Sequence, residues 1–255
     1  MIIAGIDMGI QNTKVVIMKD DKVVGRSTVS TGGIDRPAQA QKAYDEALKA
    51  AGISADAVEK VMATGKGKFD IPFANGQLTE TLAAANVART LYPDATAVMS
   101  VGADETLAAT MSDKRPVGEF AINQKCAAGL GTFLTYIARR LNMTPEAVSA
   151  CDGPGAGKMN DGCVVFSELD ALSFMCAGAA PEAVMASANR AAAVRAATAL
   201  NDLTASAGDK IVLIGGLTKN KAFVSALENC LSVKFIIPDD AEYCGAVGAA
   251  ISAAK

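Results

Sequence analysis

Short apolar runs separated by turn residues dominate the start of the chain. Residues 2–7 and 13–18 are mostly apolar, and the residues between them include Gly9, which favours a tight turn. A polar turn at 19–22 then leads into Val23. Apolar runs of this length between turn residues are typical of hairpin strands. The pattern therefore predicts three strands joined by two tight turns.

The same pattern returns in the second part of the chain. Apolar runs at 97–101 and 106–111 flank Gly102, and a polar turn at 113–115 leads into Val117. The matching positions are each 93 residues apart: Gly9 and Gly102, Met18 and Met111, Asp20 and Asp113, and Gly25 and Gly118. Chance rarely keeps four such positions in one register, so the pattern indicates an internal duplication.

Each half also contains a later apolar strand that ends on glycine. These strands cover 58–64 and 211–214. Proline in the first turn supports helix starts at Pro145 and Pro181. The longer helical stretches lie at 37–51, 131–141 and 181–203. An α/β fold of two duplicated lobes follows, with a ligand cleft between them. We expect the lobes to be residues 1–95 and 96–255, with the last helix packing back on the first lobe.

The composition narrows the classes of function. The chain of 255 residues has 24 Lys and Arg against 27 Asp and Glu, and its pI is ≈ 5.1. It therefore lacks the cationic field that holds a nucleic acid or an anionic membrane surface. The absence of histidine excludes Ser-His-Asp and Cys-His catalysis and histidine metal sites. Any chemistry must use carboxylates, lysine, backbone dipoles or thiols.

The cysteines indicate a reducing compartment. Six cysteines without a CxxC pair are too sparse for a small disulfide scaffold, so we expect reduced, cytosolic thiols. The N-terminus has no basic segment, and the most apolar later stretch, 171–188, contains Pro181 and Glu182. We therefore expect neither a signal peptide nor a membrane span.

The first glycine turn is a candidate phosphate and metal site. Asp7 ends the first strand, and Gly9, Asn12, Thr13 and Lys14 follow it. Backbone N–H groups and the last three of these side chains can face a phosphate, while Asp7 faces its metal ion. An ordinary hairpin turn is the alternative, because Asp and Gly favour turns in any case.

The second glycine turn can supply an equivalent set of amides. It contains Gly102, Ala103 and Asp104, and Asp104 is placed to orient a water or to bind magnesium. Two phosphate loops indicate a nucleoside triphosphate.

A third glycine site follows the later closing strand. Gly215 and Gly216, with Asn220, offer a backbone that can pack against adenine or ribose because glycine has no Cβ. A plain strand-end turn is the alternative. The helix of small residues at 245–250 is explained by close helix packing at least as well as by nucleotide contact.

Three longer motifs carry a family resemblance. They are NQKCAAGLGTFL at 123–134, GCVVFSE at 162–168 and YCGAVGAA at 243–250. With the glycine turns, they resemble the actin-like ATPase superfamily. Within it, they are similar to the activators of 2-hydroxyacyl-CoA dehydratases and the ATP-binding subunits of benzoyl-CoA reductase, the BadF/BadG/BcrA/BcrD type. The resemblance spans nearly the whole chain.

The resemblance implies a shared iron–sulfur cluster. In that family two subunits each give two thiolates to one [4Fe-4S] cluster, and the matching positions are Cys126 and Cys163. We expect Cys126 at the start of a helix, whose dipole favours an anionic ligand. The remaining cysteines are interpreted as small hydrophobes: Cys151, Cys176, Cys230 and Cys244.

The resemblance also implies cofactors, partners and roles. ATP or ADP with Mg²⁺ would bind the glycine turns, with Asp7 on magnesium and Asp104 on the attacking water. Glu168, which ends the second motif, is a further nucleotide-binding candidate. The partners would be a second copy or a paralogous subunit, an acyl-CoA reductase or dehydratase, and a donor such as ferredoxin or flavodoxin. One low-potential electron would pass to the acyl-CoA enzyme.

The second turn departs from the family pattern. Dehydratase activators typically carry DIGGQD there, whereas this chain has Ser-Val-Gly-Ala-Asp at 100–104. This departure favours the benzoyl-CoA reductase type slightly. Two alternatives stay open: a small-molecule kinase of the same superfamily, such as an amino-sugar kinase, and a nucleotide-sensing scaffold without turnover. Iron in the anaerobically purified protein separates the electron carrier from the kinase.

Overall fold

The chain forms two compact units. The computed structural model describes residues 1–123, 129–203 and 210–254. Unit 1 comprises residues 1–95, 111–118 and 239–255, and unit 2 comprises 96–110 and 119–238. The C-terminal segment therefore belongs to the unit that contains the N-terminus.

Each unit contains one five-stranded sheet. Unit 1 holds β1 (Ile2–Met8), β2 (Asn12–Lys19), β3 (Lys22–Ser30), β4 (Lys60–Thr64) and β5 (Gly76–Gln77). Unit 2 holds β6 (Ala97–Val101), β7 (Thr106–Thr110), β8 (Phe120–Asn123), β9 (Ile211–Ile214) and β10 (Phe235–Ile236). The strand orders are β3-β2-β1-β4-β5 and β10-β9-β6-β7-β8.

The two sheets confirm the duplication. Read from matching edges, they have the same order, with an antiparallel hairpin and a parallel closing strand in each. In the first hairpin Asp7 pairs with Lys14, and in the second Ser100 pairs with Leu107. Asp7 and Ser100 are 93 positions apart, and so are Lys14 and Leu107. The same interval separates Gly9 from Gly102.

Helices cover the sheets. They are α1 (Arg36–Ala51), α2 (Glu80–Leu91), α3 (Gly131–Arg140), α4 (Pro145–Ser149), α5 (Val164–Cys176), α6 (Pro181–Asn201), α7 (Lys221–Leu231) and α8 (Cys244–Ala254). Local caps account for several starts: Asp35 accepts from Ala38 N before α1, and Thr79 accepts from Leu82 N before α2. None of the helices among the described residues has the length and apolarity needed to cross a membrane.

Small residues let α8 pack at backbone distance within unit 1. A Cβ at Gly5 of β1 would lie 1.9 Å from Ala246 O, and one at Gly248 would lie 2.0 Å from Ala83 O of α2. Neither position can accept a side chain without moving the helix. Close packing therefore explains most of the small residues at 245–250.

Some expectations need correction. The third strand of the second hairpin unit begins at Phe120 rather than Val117, and residues 111–118 belong to unit 1. The sequence pattern also missed α2, α5 and α7. The helix α5 follows a motif cysteine, Cys163, and carries large apolar residues on its exposed side. It therefore lacks the amphipathic period that would have marked it as a helix.

Candidate functional site

Asp7 lies in a cradle formed by two glycines of unit 1. Its carboxylate is 19% exposed, and its Oδ2 lies 3.5 Å from Lys14 Nζ. A Cβ at Gly65 would lie 2.6 Å from Oδ1, and one at Gly245 would lie 2.7 Å from Oδ2. The missing side chains keep both carboxylate oxygens open, and carboxylate oxygen is the ligand that magnesium prefers. Neither glycine could be connected with Asp7 from the sequence alone.

The first glycine turn is held by a hydroxyl network. Gly9 N donates to Asn12 O at 3.1 Å, and Thr31 Oγ1 donates to Gly9 O at 2.8 Å. Thr13 is 0% exposed, and its Oγ1 lies 3.1 Å from Thr31 Oγ1. That hydroxyl is therefore enclosed and supports the turn, and the predicted contact of the Thr13 side chain with a phosphate stays a prediction. Asn12 is exposed on the turn.

The second glycine turn has the same closing bond. Gly102 N donates to Glu105 O at 3.1 Å, as Gly9 N does to Asn12 O. Ala103 and Asp104 are partly exposed beside it. The matching hydrogen bonds show that the 93-residue repeat extends to the turns themselves.

The start of α3 is bonded to this second turn. Gly131 N donates to Gly102 O at 3.1 Å, and Thr132 N donates to Ala103 O at 3.0 Å. Gly129 has φ +60°, and a Cβ there would lie 2.4 Å from Ala103 O. Only glycine combines a positive φ with the absence of a Cβ, so no other residue fits at this position. The residues that follow the Cys126 motif segment are therefore fixed to the second turn.

Gly102 offers a test of the second turn that spares the fold. A Cβ at this position meets only Glu105 O, at an ordinary 3.6 Å. We expect Gly102→Val to fold like the parent but to weaken ATP binding by about tenfold or more, roughly 1.4 kcal/mol, because the new side chain occupies the phosphate path. Calorimetric titration with ATP and thermal unfolding measure the two quantities. Parent-like ATP affinity in a folded Gly102→Val protein would remove this turn from the nucleotide site.

The third predicted nucleotide element begins with a glycine at positive φ, Gly215, and ends with the residue that caps α7, Asn220. Gly215 has φ +103°, and a Cβ would lie 2.3 Å from Val101 O, so it packs on the end of β6. Gly216 is exposed and has room for a side chain. Asn220 caps α7 by accepting from Phe223 N at 3.1 Å, and it donates to Asn189 Oδ1 at 2.8 Å. These bonds give Asn220 a structural role, and its contact with a nucleotide stays a prediction.

Cys163 is the residue that caps α5. Its backbone N–H and that of Gly162 both donate to Asn160 Oδ1, at 2.7 and 3.0 Å. The thiol makes no capping hydrogen bond, and the residue is partly exposed. Ser167 Oγ, one turn further on, donates to Asn160 O at 2.7 Å. Asn160 thus holds the thiol at the positive end of a 13-residue helix dipole, which favours an anionic ligand.

Cys126 lies outside the described residues. The sequence analysis placed it at a helix start, and the first helix described after it, α3, begins at Gly131, five residues later. Within the described part of the chain, the helix that begins directly at a motif cysteine is α5, after Cys163. The helix dipole therefore acts at Cys163, a position where the sequence alone did not predict it.

Two of the other cysteines, Cys151 and Cys244, are buried, whereas Cys163 is partly exposed. Burial, with Glu182 as a smaller contribution, raises the pKa of the Cys151 thiol. Burial and then Asp240 raise the pKa of Cys244 to about 12. Burial thus disfavours the thiolate form of both side chains, and the thiolate is the form that binds a metal. All cysteines of the described residues are free thiols, and within this part of the chain no three His, Cys, Asp or Glu side chains form a metal-binding group.

Glu168 joins the helices that follow the two motif cysteines. Its Oε1 accepts from Tyr136 Oη at 2.8 Å and lies 3.2 Å from Arg140 Nη2. Tyr136 and Arg140 belong to α3, whereas Glu168 belongs to α5. The carboxylate thus ties α3 to α5, and its predicted contact with a nucleotide stays a prediction.

Comparison with known proteins decides the family. The family model described as the BadF/BadG/BcrA/BcrD ATPase family matches residues 4–253. The chain belongs to this ATPase family. The activator of lactoyl-CoA dehydratase of Anaerotignum propionicum is 30% identical over 255 residues, covering 98% of this chain and 96% of that protein. A benzoyl-CoA reductase component of Thauera aromatica is 27% identical and covers 98% and 92%.

A solved structure of the same kind confirms the fold. Component A of the (R)-2-hydroxyglutaryl-CoA dehydratase of Acidaminococcus fermentans matches with a TM-score of 0.89 and 26% identity, over 100% of both chains. The predicted actin-like ATPase fold, with two duplicated α/β units, is therefore confirmed, as is the predicted family.

Proposed function

We propose that this BadF/BadG/BcrA/BcrD-family ATPase is an activator that couples ATP hydrolysis to delivery of one electron to an acyl-CoA dehydratase. The observation that carries the proposal is the bonding of Gly131 and Thr132 to Gly102 and Ala103. It joins the predicted second phosphate turn directly to the segment that follows a motif cysteine. Such a connection would transmit nucleotide binding to the cysteine, which phosphorylation of a hydroxyl does not require.

The donor set fits an iron–sulfur group. Cys163 is a partly exposed thiol on a helix N-terminus, whereas burial raises the pKa of the Cys151 and Cys244 thiols. Cys126 and Cys163, the two cysteines of the family motifs, would hold the group together with two thiols of a second subunit, because a four-thiolate cluster needs two further ligands. When bound, a [4Fe-4S] cluster would supply a single electron at low potential.

An apolar surface beside Cys163 supports a subunit interface at this site. Five large apolar side chains of α5 are exposed: Val165, Phe166, Leu169, Leu172 and Met175. A contiguous apolar patch of this kind marks an interaction surface on a globular protein. A second copy, or a paralogous subunit, would cover the helix while its thiols complete the ligand set.

Different residues of the chain would bind the magnesium, the phosphates and the attacking water. Asp7, in its glycine cradle, would hold magnesium, and Lys14 would neutralise phosphate charge. Backbone N–H groups beside Gly9 and Gly102 would bind the phosphates, since oriented amides form anion sites. Asp104 would orient the attacking water. A ferredoxin or flavodoxin would supply the electron.

The dehydratase role is preferred to the reductase role. The sequence-based preference for the benzoyl-CoA reductase type depends only on Ser100 and Ala103, and relatives of both kinds match the chain at similar identity. The relative at 30% identity is named as a dehydratase activator. Because Ser100 and Ala103 depart from the pattern of the dehydratase activators, a benzoyl-CoA reductase subunit is the second candidate.

Electron transfer under ATP control tests the proposal. Dithionite-reduced protein is mixed anaerobically with the lactoyl-CoA dehydratase of Anaerotignum propionicum, and the iron–sulfur absorbance is followed with ATP or ADP. We expect oxidation of the protein with ATP only. If ATP is hydrolysed and no electron reaches this dehydratase or a benzoyl-CoA reductase partner, the activator role is wrong. Absence of hydrolysis would favour the nucleotide-sensing scaffold.

A further inference from the structure

Helix α5 is held by little packing within one chain. Of its 13 residues, Val164–Cys176, the buried ones are Ser167 and Ala171. The packing of a buried face is what normally fixes a helix in a protein. The orientation of α5, and with it the position of the Cys163 residue that caps it, therefore depends strongly on polar contacts.

Two kinds of polar contact involve α5. Local bonds join it to the loop directly before it: Asn160 N donates to Asp170 Oδ2 at 2.8 Å, and Ser167 Oγ donates to Asn160 O at 2.7 Å. These bonds move with the helix. Among the described residues, Glu168 supplies the side-chain hydrogen bond that joins α5 to another helix, because its Oε1 accepts from Tyr136 Oη of α3 at 2.8 Å. The orientation of α5 relative to α3 thus centres on this carboxylate.

A single face of α3 contacts both Glu168 and the second glycine turn. Thr132 Oγ1 donates to Ala103 O at 3.0 Å, as the Thr132 backbone N–H does. Tyr136 and Arg140 follow at intervals of four residues, so they lie on the same face of the helix. Arg140 Nη2 donates to Tyr136 Oη at 2.8 Å and lies 3.2 Å from Glu168 Oε1. Side chains of this face therefore connect the turn to α5.

We propose that the Tyr136 hydroxyl is the positioning group that couples the second glycine turn to α5 and so to Cys163. The inference rests on the proposed function, in which this turn binds ATP and Cys163 binds the cluster. Phosphate that draws on the amides of the turn displaces the start of α3, and the bond from Tyr136 to Glu168 carries that displacement to α5. A single hydrogen bond to a partly exposed carboxylate contributes modestly, so it can re-form in a second arrangement.

Amide hydrogen exchange of the anaerobically purified full chain tests this coupling. Mass spectrometry follows the peptides that cover residues 164–176, with ADP or with a non-hydrolysable ATP analogue. Tyr136→Phe keeps the ring and removes the hydroxyl, and Arg140→Gln removes the second donor to Glu168. Arg139→Gln is the matched control, because Arg139 is the neighbouring exposed arginine of α3. ATP affinity, ATP hydrolysis and the electrons delivered to the dehydratase per ATP are measured on the same proteins.

The expected results differ for each variant. In the parent, the exchange rate of α5 should differ about tenfold between the two nucleotides. Tyr136→Phe should reduce this difference to less than about twofold, because one hydrogen bond to a charged group is lost. Its ATP affinity and hydrolysis should stay parent-like while fewer electrons pass per ATP. Arg140 is 63% exposed, so Arg140→Gln should reduce the difference only about threefold. Arg139→Gln should match the parent.

A residue that only stabilised the fold would raise the exchange of α5 equally with either nucleotide. That result in Tyr136→Phe, or a parent whose α5 exchanges equally with both nucleotides, would overturn the inference. If Tyr136→Phe does not fold, Arg140→Gln decides, and a parent-like nucleotide response in that variant contradicts the coupling. A parent that contains no iron, or that delivers no electron, contradicts the proposed function instead. The two failures are distinguishable, since the exchange measurement requires neither iron nor the dehydratase.

Discussion

Cys163→Ser is expected to abolish iron binding and to weaken dimerisation in the same step. The hydroxyl of serine does not replace a thiolate as a cluster ligand, and the shared cluster would also join the two subunits. The fold should be spared, because serine is a preferred N-cap residue and the thiol makes no capping bond at α5. Iron analysis and sedimentation under anaerobic conditions measure both effects. ATP binding should persist, since the glycine turns are unchanged.

Cys176→Ser is the matched control for this change. Cys176 ends the same helix, is exposed, and lies 12 residues after α5 begins at Val164. The Cys176→Ser protein should bind iron and dimerise like the parent. A Cys163→Ser protein with a full cluster, or a Cys176→Ser protein without one, would show that the wrong thiol is assigned.

Asp104→Asn is expected to lose turnover while it keeps nucleotide binding. Asp104 is partly exposed in the second turn, next to the Gly102 amide. Loss of a group that handles a proton or a developing charge commonly costs ~10² to 10⁴ in rate. The asparagine keeps the shape of the turn and removes only the carboxylate charge. Phosphate release gives the rate, and calorimetry gives the ATP affinity.

Asp113→Asn controls for a general loss of negative charge. Asp113 is exposed and lies outside both glycine turns, so this variant should hydrolyse ATP like the parent. If Asp104→Asn also hydrolyses ATP at the parent rate, the water is oriented by another group. Asp7, Glu168 or a residue of the second subunit would then be the candidates.

Features set by local chemistry could be predicted from the sequence. The hairpins follow from apolar runs and glycine turns, and the structure reproduces Ala97–Val101 and Ile211–Ile214 without change. The small residues of α8 also indicated close packing, which Gly5 and Gly248 show at backbone distance. In each case a few neighbouring residues determine the geometry.

Features set by distant residues could not be predicted. The buried hydroxyl of Thr13 lies 3.1 Å from that of Thr31, which directly follows the next strand. The cradle of Asp7 combines Gly65 with Gly245, which are far apart in sequence. Arg195 sits within an alanine-rich helix, and only the fold brings its guanidinium to Gly129 and Asp161. No short motif signals such arrangements.

Native mass spectrometry of the anaerobically purified parent tests the central claim most directly. One spectrum reports the number of chains, the iron and the sulfide in each particle. We predict two chains that carry a single cluster of about four irons and four sulfides, with thiols from both chains. A chain that hydrolyses ATP as an iron-free monomer, or that keeps its iron as a monomer, would contradict the account.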